Sequence, residues 1–413
     1  MTAEMKRLSF MVVAGEASGD LLAAELVKAL KQSPEAQAMP FPPEFFGAGG
    51  PHMAEAGVDL AADLARHSVI GLSDALKKYA QFKRIFDRLF QLALERGPDV
   101  IICVDFSGFN RRFARDIKRF VRARRGTFLN WQPKIVQYVS PQVWASRPGR
   151  ARQLERDVDL LLSIFPFEKQ WYARSAPRLA VEFVGHPIVD RFAVDGLLSA
   201  RQPSGDETVG RGNSQILLLP GSRVAELRRH LPVLAAAARL IRAAKPETRF
   251  KMILPNEELK RLAVMLTTFP PDLAIETGGL APALSATDLA LTKSGTVTLE
   301  CACFRVPAVV FYKTSWPTYL AARMVVGVKY LAMPNLLADE EVYPEFVQHE
   351  ATPENIARAA LELLHDAQRR RGVQAKLAQA VGWLGQPGAS VRAANAVLGL
   401  LEHEHFPARA SLG

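Results

Sequence analysis

Leu8-Ser9-Phe10-Met11-Val12-Val13-Ala14 runs directly into Gly15-Glu16-Ala17-Ser18-Gly19-Asp20, and a helical pattern follows from Leu21 to Leu30. An apolar strand, a glycine-containing turn and a helix form the opening unit of a Rossmann-like fold, which places a ligand at that turn. The turn is neither G-x-G-x-x-G nor a Walker loop, because no Gly-Lys-Ser/Thr follows. Glu16 and Asp20 also put carboxylates where a phosphate would be repelled. The turn therefore reads as a site for hydroxyls or a sugar, and a phosphate site must come from elsewhere in the chain.

Outward from this turn, β-branched runs alternate with helical periodicity, which predicts parallel α/β layers. Strands are expected at Leu8–Ala14, Val100–Val104, Ile135–Val139, Leu160–Ile164 and Val181–Val184. A polar run over Ser199–Ser214, with Pro203, Gly205, Gly210 and Gly212, reads as a linker. A second series follows at Ile216–Leu219, Phe250–Leu254, Leu289–Leu291 and Ala308–Tyr312. A chain of 413 residues exceeds one ordinary core, so two domains of roughly 150–200 residues are expected. The expected division is 1–198 for a first Rossmann-like domain, 199–214 for the linker and 215–365 for a second such domain. Helices over 366–413 complete the chain, crossing back to the first domain or to a partner. Two such halves would leave a cleft between them.

The net charge of +10 favours anionic partners. Cys103, Cys301 and Cys303 have neither a disulfide framework nor zinc-ligand spacing, which fits a reducing cytosol. No apolar run reaches the ~18 residues of a membrane span, and the N-terminus lacks a secretory pattern.

The phosphate chemistry missing from the first half is found in the second. Pro220-Gly221-Ser222-Arg223 turns a buried strand into a helix. Gly221 lets backbone amides approach a ligand, and Arg223 offers a planar fork that matches phosphate. Lys293-Ser294-Gly295-Thr296 stands before a helix over Val297–Cys301, and Glu300 lies about one turn on, where a carboxylate would take a ribose diol. Each turn alone also fits plain helix capping. Together at one sheet edge they favour a nucleoside diphosphate.

Six ordered segments carry a resemblance: Gly15–Asp20, Tyr138-Val139-Ser140-Pro141-Gln142-Val143-Trp144-Ala145, Phe183–Pro187, Leu219–Arg223, Ser294–Glu300 and Pro334-Asn335-Leu336-Leu337-Ala338. The chain resembles the lipid-A-disaccharide synthases, inverting glycosyltransferases of the GT-B fold, across nearly its whole length. The resemblance implies transfer of 2,3-diacylglucosamine from UDP to the 6-hydroxyl of 2,3-diacylglucosamine 1-phosphate. The products are a β-1,6 disaccharide and UDP. It also implies action at the anionic inner face of the inner membrane, without a cofactor. A UDP-sugar epimerase and a non-catalytic nucleotide- or lipid-binding relative are the alternatives.

Inversion needs a base for the acceptor hydroxyl and charge stabilisation for the departing diphosphate. Asp105, at the end of the strand Val100–Val104, is the candidate base; capping of the following helix is the competing role. The family pattern Asp-x-Pro-Asp-Phe-Asn reads here as Asp105-Phe106-Ser107-Gly108-Phe109-Asn110, so the second acid has no carrier in this chain. Glu16 and Ser18, with Asp20, are expected to orient sugar hydroxyls or support the base; Asp20 could instead cap its helix. His186 and Asn335 are expected nucleotide contacts, and Tyr138 and Trp144 either pack on a ligand or fill the core. Asp157-Val158-Asp159 matches a metal-binding Asp-x-Asp literally, but it leads into a buried strand and reads as a strand-edge element. No metal is expected.

The segment His67–Arg96 interleaves apolar residues with cations at near-helical spacing. Val69, Ile70, Leu72 and Leu76 are the candidate acyl-facing residues, with packing of this helix on the sheet the alternative. The cations from Arg111 to Arg125 suit anionic headgroups. Nucleic acid is not an expected partner, because no recognised motif accompanies the charge. A homodimer is one arrangement the C-terminal helices permit.

Overall fold

The computed structural model describes residues 7–64, 75–124, 126, 130–194, 214–270 and 272–401, with backbone alone for 75–79, 193 and 194. The chain groups into two compact units: Met1–Pro187 with Gln386–Gly413, and Ile188–Gly385. The expected linker lies outside the described residues except for Ser214.

The first unit holds a seven-stranded parallel sheet. Its strands are β1 (Ser9–Ala14), β2 (Glu44–Gly49), β3 (Asp59–Asp63), β4 (Val100–Val104), β5 (Lys134–Tyr138), β6 (Leu160–Ser163) and β7 (Ala180–Phe183). They are ordered β3-β2-β1-β4-β5-β6-β7. The second unit holds six parallel strands: β8 (Gln215–Leu219), β9 (Arg249–Leu254), β10 (Ala274–Thr277), β11 (Leu289–Lys293), β12 (Ala308–Tyr312) and β13 (Glu345–Val347). These are ordered β10-β9-β8-β11-β12-β13. In each sheet the order reverses beside the first strand, between β1 and β4 and between β8 and β11. Such a reversal opens a crevice at the carboxyl ends of the two strands, where α/β folds bind ligands.

The central strands are buried on both faces, so they read as unbroken apolar runs. All five residues of Val-Ile-Ile-Cys-Val in β4 are buried. The nine strands expected from sequence are all present, within two residues at each end. Four more, β2, β3, β10 and β13, complete the sheets.

The helix Ala75–Arg96 packs its described aromatic residues on the helix Ser107–Ala123. Phe86 meets Phe109 and Phe113 edge-on at 5.4 and 5.6 Å, and Phe90 meets Phe120 at 5.7 Å. For this stretch, packing on the sheet layer is the arrangement present. Val69, Ile70 and Leu72 lie outside the described residues, and Leu76 lies in the helix with its side chain undescribed. The cations of Ser107–Ala123 are partly engaged within the unit. Lys118 pairs with Asp159 at 2.6 Å, and Arg122 with the buried Asp157 at 3.8 Å. Asp159 also accepts from the Ile135 backbone N–H at 2.6 Å. The Asp-x-Asp pair thus fastens a strand edge to a helix.

Of the C-terminal helices, Pro353–His365 and Ala367–Gly382 belong to the second unit. Among the described residues, only Ala389–Gly399 joins the first, packing on the opening helix Ala17–Gln32. Arg392 Nε donates to the Val184 carbonyl at 2.8 Å and secures it.

Candidate functional site

At the reversal between β1 and β4, chemistry-bearing residues leave both strand ends. Gly15 directly follows β1, and a Cβ there would run into the Phe106 ring. Glu16 follows in extended backbone and Ser18 is exposed in the first turn of the helix. From β4 the chain continues through Asp105 and Phe106, both left-handed, with φ of 46° and 43°. Two consecutive non-glycine residues in that region cost on the order of 1–3 kcal/mol each and persist only where neighbours enforce them.

The enforcing groups are visible. The Asn110 amide donates to the carbonyls of Val13, Val104 and Asp105 at 3.3, 3.1 and 2.9 Å. The Asp105 N–H donates to the Tyr138 carbonyl at 2.9 Å. The buried Gln137 amide reaches the carbonyl of Val139 at 3.1 Å and that of Asp105 at 3.5 Å. Asp105 lies against Gly19, where a Cβ would sit 3.7 Å from its own. The structure thus brings Asp105, Glu16 and the Ser18 turn together. Burial raises the Asp105 carboxyl above the ordinary range, and the neighbouring Glu16 charge raises it further; the Phe106 backbone N–H opposes both. A carboxylate of raised basicity is suited to accepting a proton. Asp105 is not a helix cap: Phe106 occupies that position, with no side-chain cap hydrogen bond.

Asp20 has a different task from the one its sequence position suggests. Its buried carboxylate accepts from the backbone N–H groups of Gly50, His52 and Met53 at 2.7, 3.0 and 3.1 Å. It therefore satisfies the start of a neighbouring helix, Pro51–Glu55, rather than its own, and neither caps Ala17–Gln32 nor orients a sugar.

Tyr138 is a core residue, fully buried. Trp144 donates to Glu168 at 2.9 Å, and Ser140 shares a 3.0 Å hydrogen bond with Tyr172. Burial pushes the Glu168 carboxyl up to about 7, against hydrogen bonds from Trp144, Ser140 and the Phe165 and Ile164 backbone. His186, buried in the first unit, lies against the Phe165 ring at 5.5 Å.

In the second unit the two expected turns meet at the reversal between β8 and β11. Gly221 has φ of 127°, and a Cβ on it would collide with the Glu226 carboxylate. That carboxylate accepts from the Ser222 N–H at 3.0 Å and pairs with Lys293 at 3.4 Å. Glu226, in the first turn of Val224–Ala244, is a site residue that the sequence patterns do not single out. His230, one turn further, holds the Pro220 carbonyl at 2.6 Å and the Lys313 backbone at 3.1 Å. Arg223 is exposed at the helix start, as is Thr296 before Val297–Cys303. Gly295 is left-handed, and Ser294 donates to the Leu331 carbonyl at 2.9 Å. Burial raises the Glu300 carboxyl, with the charges of Arg191 and then Lys293 opposing.

Asn335 does not present a polar group to a nucleotide. Its amide donates to the Tyr343 carbonyl and to Glu345, and its oxygen accepts from Val342 and Tyr343, all between 2.8 and 3.0 Å. The side chain is fully buried and its hydrogen-bonding capacity is spent on bracing this segment. Glu345 extends the brace to the N–H groups of Leu331 and Ala332, each at 2.8 Å.

Two Rossmann-like domains with polar residues gathered at their switch points define the class, a GT-B-type fold. Solved structures share it. A putative UDP-N-acetylglucosamine 2-epimerase from Listeria monocytogenes superposes with a TM-score of 0.57 at 16% identity, covering 98% of each chain. The calicheamicin glycosyltransferase CalG4 gives 0.57 at 15%, covering 97% of this chain and all of that one. Within this class the chain belongs to the lipid-A-disaccharide synthetase family, whose model matches residues 10–398. A lipid-A-disaccharide synthase of Anaeromyxobacter dehalogenans (strain 2CP-C) is 36% identical over 394 residues, 95% of this chain and 97% of that protein. One of Syntrophus aciditrophicus is 36% identical over 400 residues, with the same coverage. The epimerases share the fold alone, so the isomerase alternative is not favoured.

Proposed function

We propose that this protein transfers 2,3-diacylglucosamine from UDP to the 6-hydroxyl of 2,3-diacylglucosamine 1-phosphate with inversion, releasing UDP. The family membership supports the reaction, and the observation that carries its chemistry is Asp105, a carboxylate of raised basicity on a strained switch-point turn beside Glu16. In this reading Asp105 takes the acceptor proton as the hydroxyl oxygen attacks the anomeric carbon. Glu16 keeps Asp105 basic, and Ser18 offers a hydroxyl to the sugar. The bond to the diphosphate breaks on the opposite side. Its charge is met by the Gly221 turn, the Ser222 hydroxyl and Arg223, with Ser294, Gly295 and Thr296 beside them. Glu300 takes the ribose diol, and His186 assists at the diphosphate. The acylated substrates imply work at the anionic inner face of the inner membrane.

The test incubates the purified protein with both diacylated sugars and reads disaccharide and UDP by mass spectrometry. Wild type should form both, and Asp105→Asn should lose at least about a hundredfold in rate. No product at any acyl length would overturn the function; an unimpaired Asp105→Asn variant would overturn the assignment of the base.

A further inference from the structure

Four arginines gather beside the turn that carries Asp105. Arg111 and Arg112 lie early in the helix Ser107–Ala123. Arg147 precedes and Arg150 ends the single turn Pro148–Arg150, which leads into the helix Ala151–Asp157. Burial lowers the Arg111 pKa, and the charges of Arg150, Arg147 and Arg112 lower it further. The acids of this region are engaged with other cations. Asp116 pairs with Arg115 at 2.8 Å, Glu155 with Arg178 at 3.2 Å, Asp157 with Arg156 at 2.9 Å and Asp159 with Lys118 at 2.6 Å. Among the described residues, none of the four arginines forms an ion pair.

Arg111 is oriented before any ligand arrives. Helical side chains lean toward the N-terminus, and its Nε donates back to the Ser107 carbonyl at 3.1 Å. Its Nη1 donates to Gln153 at 3.4 Å, which ties it to the helix after Arg150. The guanidinium therefore lies beside the helix start, where Ser107 stands two residues after Asp105. Diffuse attraction to an anionic surface needs only exposed cations. A half-buried arginine held by two hydrogen bonds and crowded by like charges suits one bound anion, and a phosphate monoester matches its planar fork.

The acceptor of the proposed reaction carries such a group. Its 6-hydroxyl and its 1-phosphate lie on opposite sides of one sugar ring, so the phosphate must rest about one sugar away from the base. Arg111 is four residues, about 6 Å of helix, past Ser107, a span that a hexose bridges. We propose that Arg111, with Arg147 and Arg150, forms the subsite for the phosphate monoester of the acceptor sugar. Arg111 orients the phosphate through its fork, and Arg147 and Arg150 neutralise it. The identity of the sugar rests on the reaction proposed above.

The test is turnover in neutral-detergent micelles with the diacylated acceptor 1-phosphate and with the same sugar bearing a free 1-hydroxyl. Arg147→Gln/Arg150→Gln, checked for folding by circular dichroism, should raise KM for the phosphorylated acceptor at least about tenfold. The ratio of kcat/KM for the two acceptors should shrink by the same factor. An unaltered ratio overturns the proposal. So does a loss that appears only when phosphatidylglycerol is added to the micelles, which would assign the cations to lipid headgroups. Phosphorus NMR of glucosamine 1-phosphate titrated with the full chain reads the subsite without turnover. Its line should broaden with wild type and stay narrower with the double variant; a line that behaves alike with both proteins overturns the subsite. Broadening that the variant loses, from a wild type that makes no disaccharide, would overturn the proposed reaction and leave the subsite standing. Disaccharide formed with an unaltered acceptor preference would do the reverse.

Discussion

Raising the pH from 4.5 to 7 should destabilise the first unit through one residue, Glu168. The ordinary glutamate value is 4.5, and burial lifts this carboxyl to about 7. Between these values the folded protein holds the proton and the unfolded chain has released it. Stability therefore falls as pH rises through this window and is flat for this group on either side. At about 1.4 kcal/mol per pH unit the loss is on the order of 3 kcal/mol. Glu168→Gln removes the titration. The two carboxylate oxygens accept separately from Trp144 at 2.9 Å and from the Phe165 N–H at 3.3 Å. The single amide oxygen keeps one of these bonds, and the loss of the other is an offset that does not change with pH. Urea unfolding between pH 5 and 8, in a Trp316→Phe/Trp383→Phe background that leaves Trp131, Trp144 and Trp171 as reporters of the first unit, measures it. Wild type should lose stability relative to the glutamine variant across the window and reach a constant deficit above pH 7. Parallel curves for the two proteins would refute the reasoning, because no other group differs between them.

Three further perturbations probe the site. Glu16→Gln removes a like charge from beside Asp105, so the Asp105 pKa should fall; the acidic limb of kcat/KM for UDP release should move to lower pH, and a limb that stays in place would count against Asp105 as the titrating base. Gly221→Ala forces a Cβ into the Glu226 carboxylate at φ of 127°, a backbone strain of about 1–3 kcal/mol. UDP affinity by calorimetry should drop about tenfold, and an unchanged Kd would remove this turn from the diphosphate site. Asp20→Ala leaves three backbone N–H groups without their acceptor and should cost about 2–4 kcal/mol in urea unfolding, whereas a loss below 1 kcal/mol would mean that water replaces the carboxylate.

The central strands were legible because parallel strands buried on both faces must be apolar throughout, as β4 is. The strands missed lie at or next to sheet edges. β3 and β10 carry partly exposed polar residues, β13 has three residues, and β2 is interrupted by Gly47 and Gly49. Those glycines are dictated by tertiary packing: a Cβ on Gly47 would strike the carbonyl of Val12, remote in sequence, and one on Gly49 the sulfur of Met53 in the helix that follows. The same distinction governs the site. Asp105 and the two turns of the second unit were readable because each ends an apolar strand. The occupations of Asp20 and Asn335 depend on backbone groups delivered by other elements, and that of Glu226 depends in part on Lys293 from the end of β11.

The helix Ala389–Gly399 has a consequence for how this chain comes into being. The opening helix Ala17–Gln32, which carries Ser18 and Asp20, emerges from the ribosome before the second unit, yet the element packed against it emerges after that unit. The first unit therefore cannot finish folding until the whole second unit has been synthesised, and its apolar flank waits uncovered in the meantime. A cut after Gly385 would consequently injure the far end of the sequence, the turn at Gly15–Asp20.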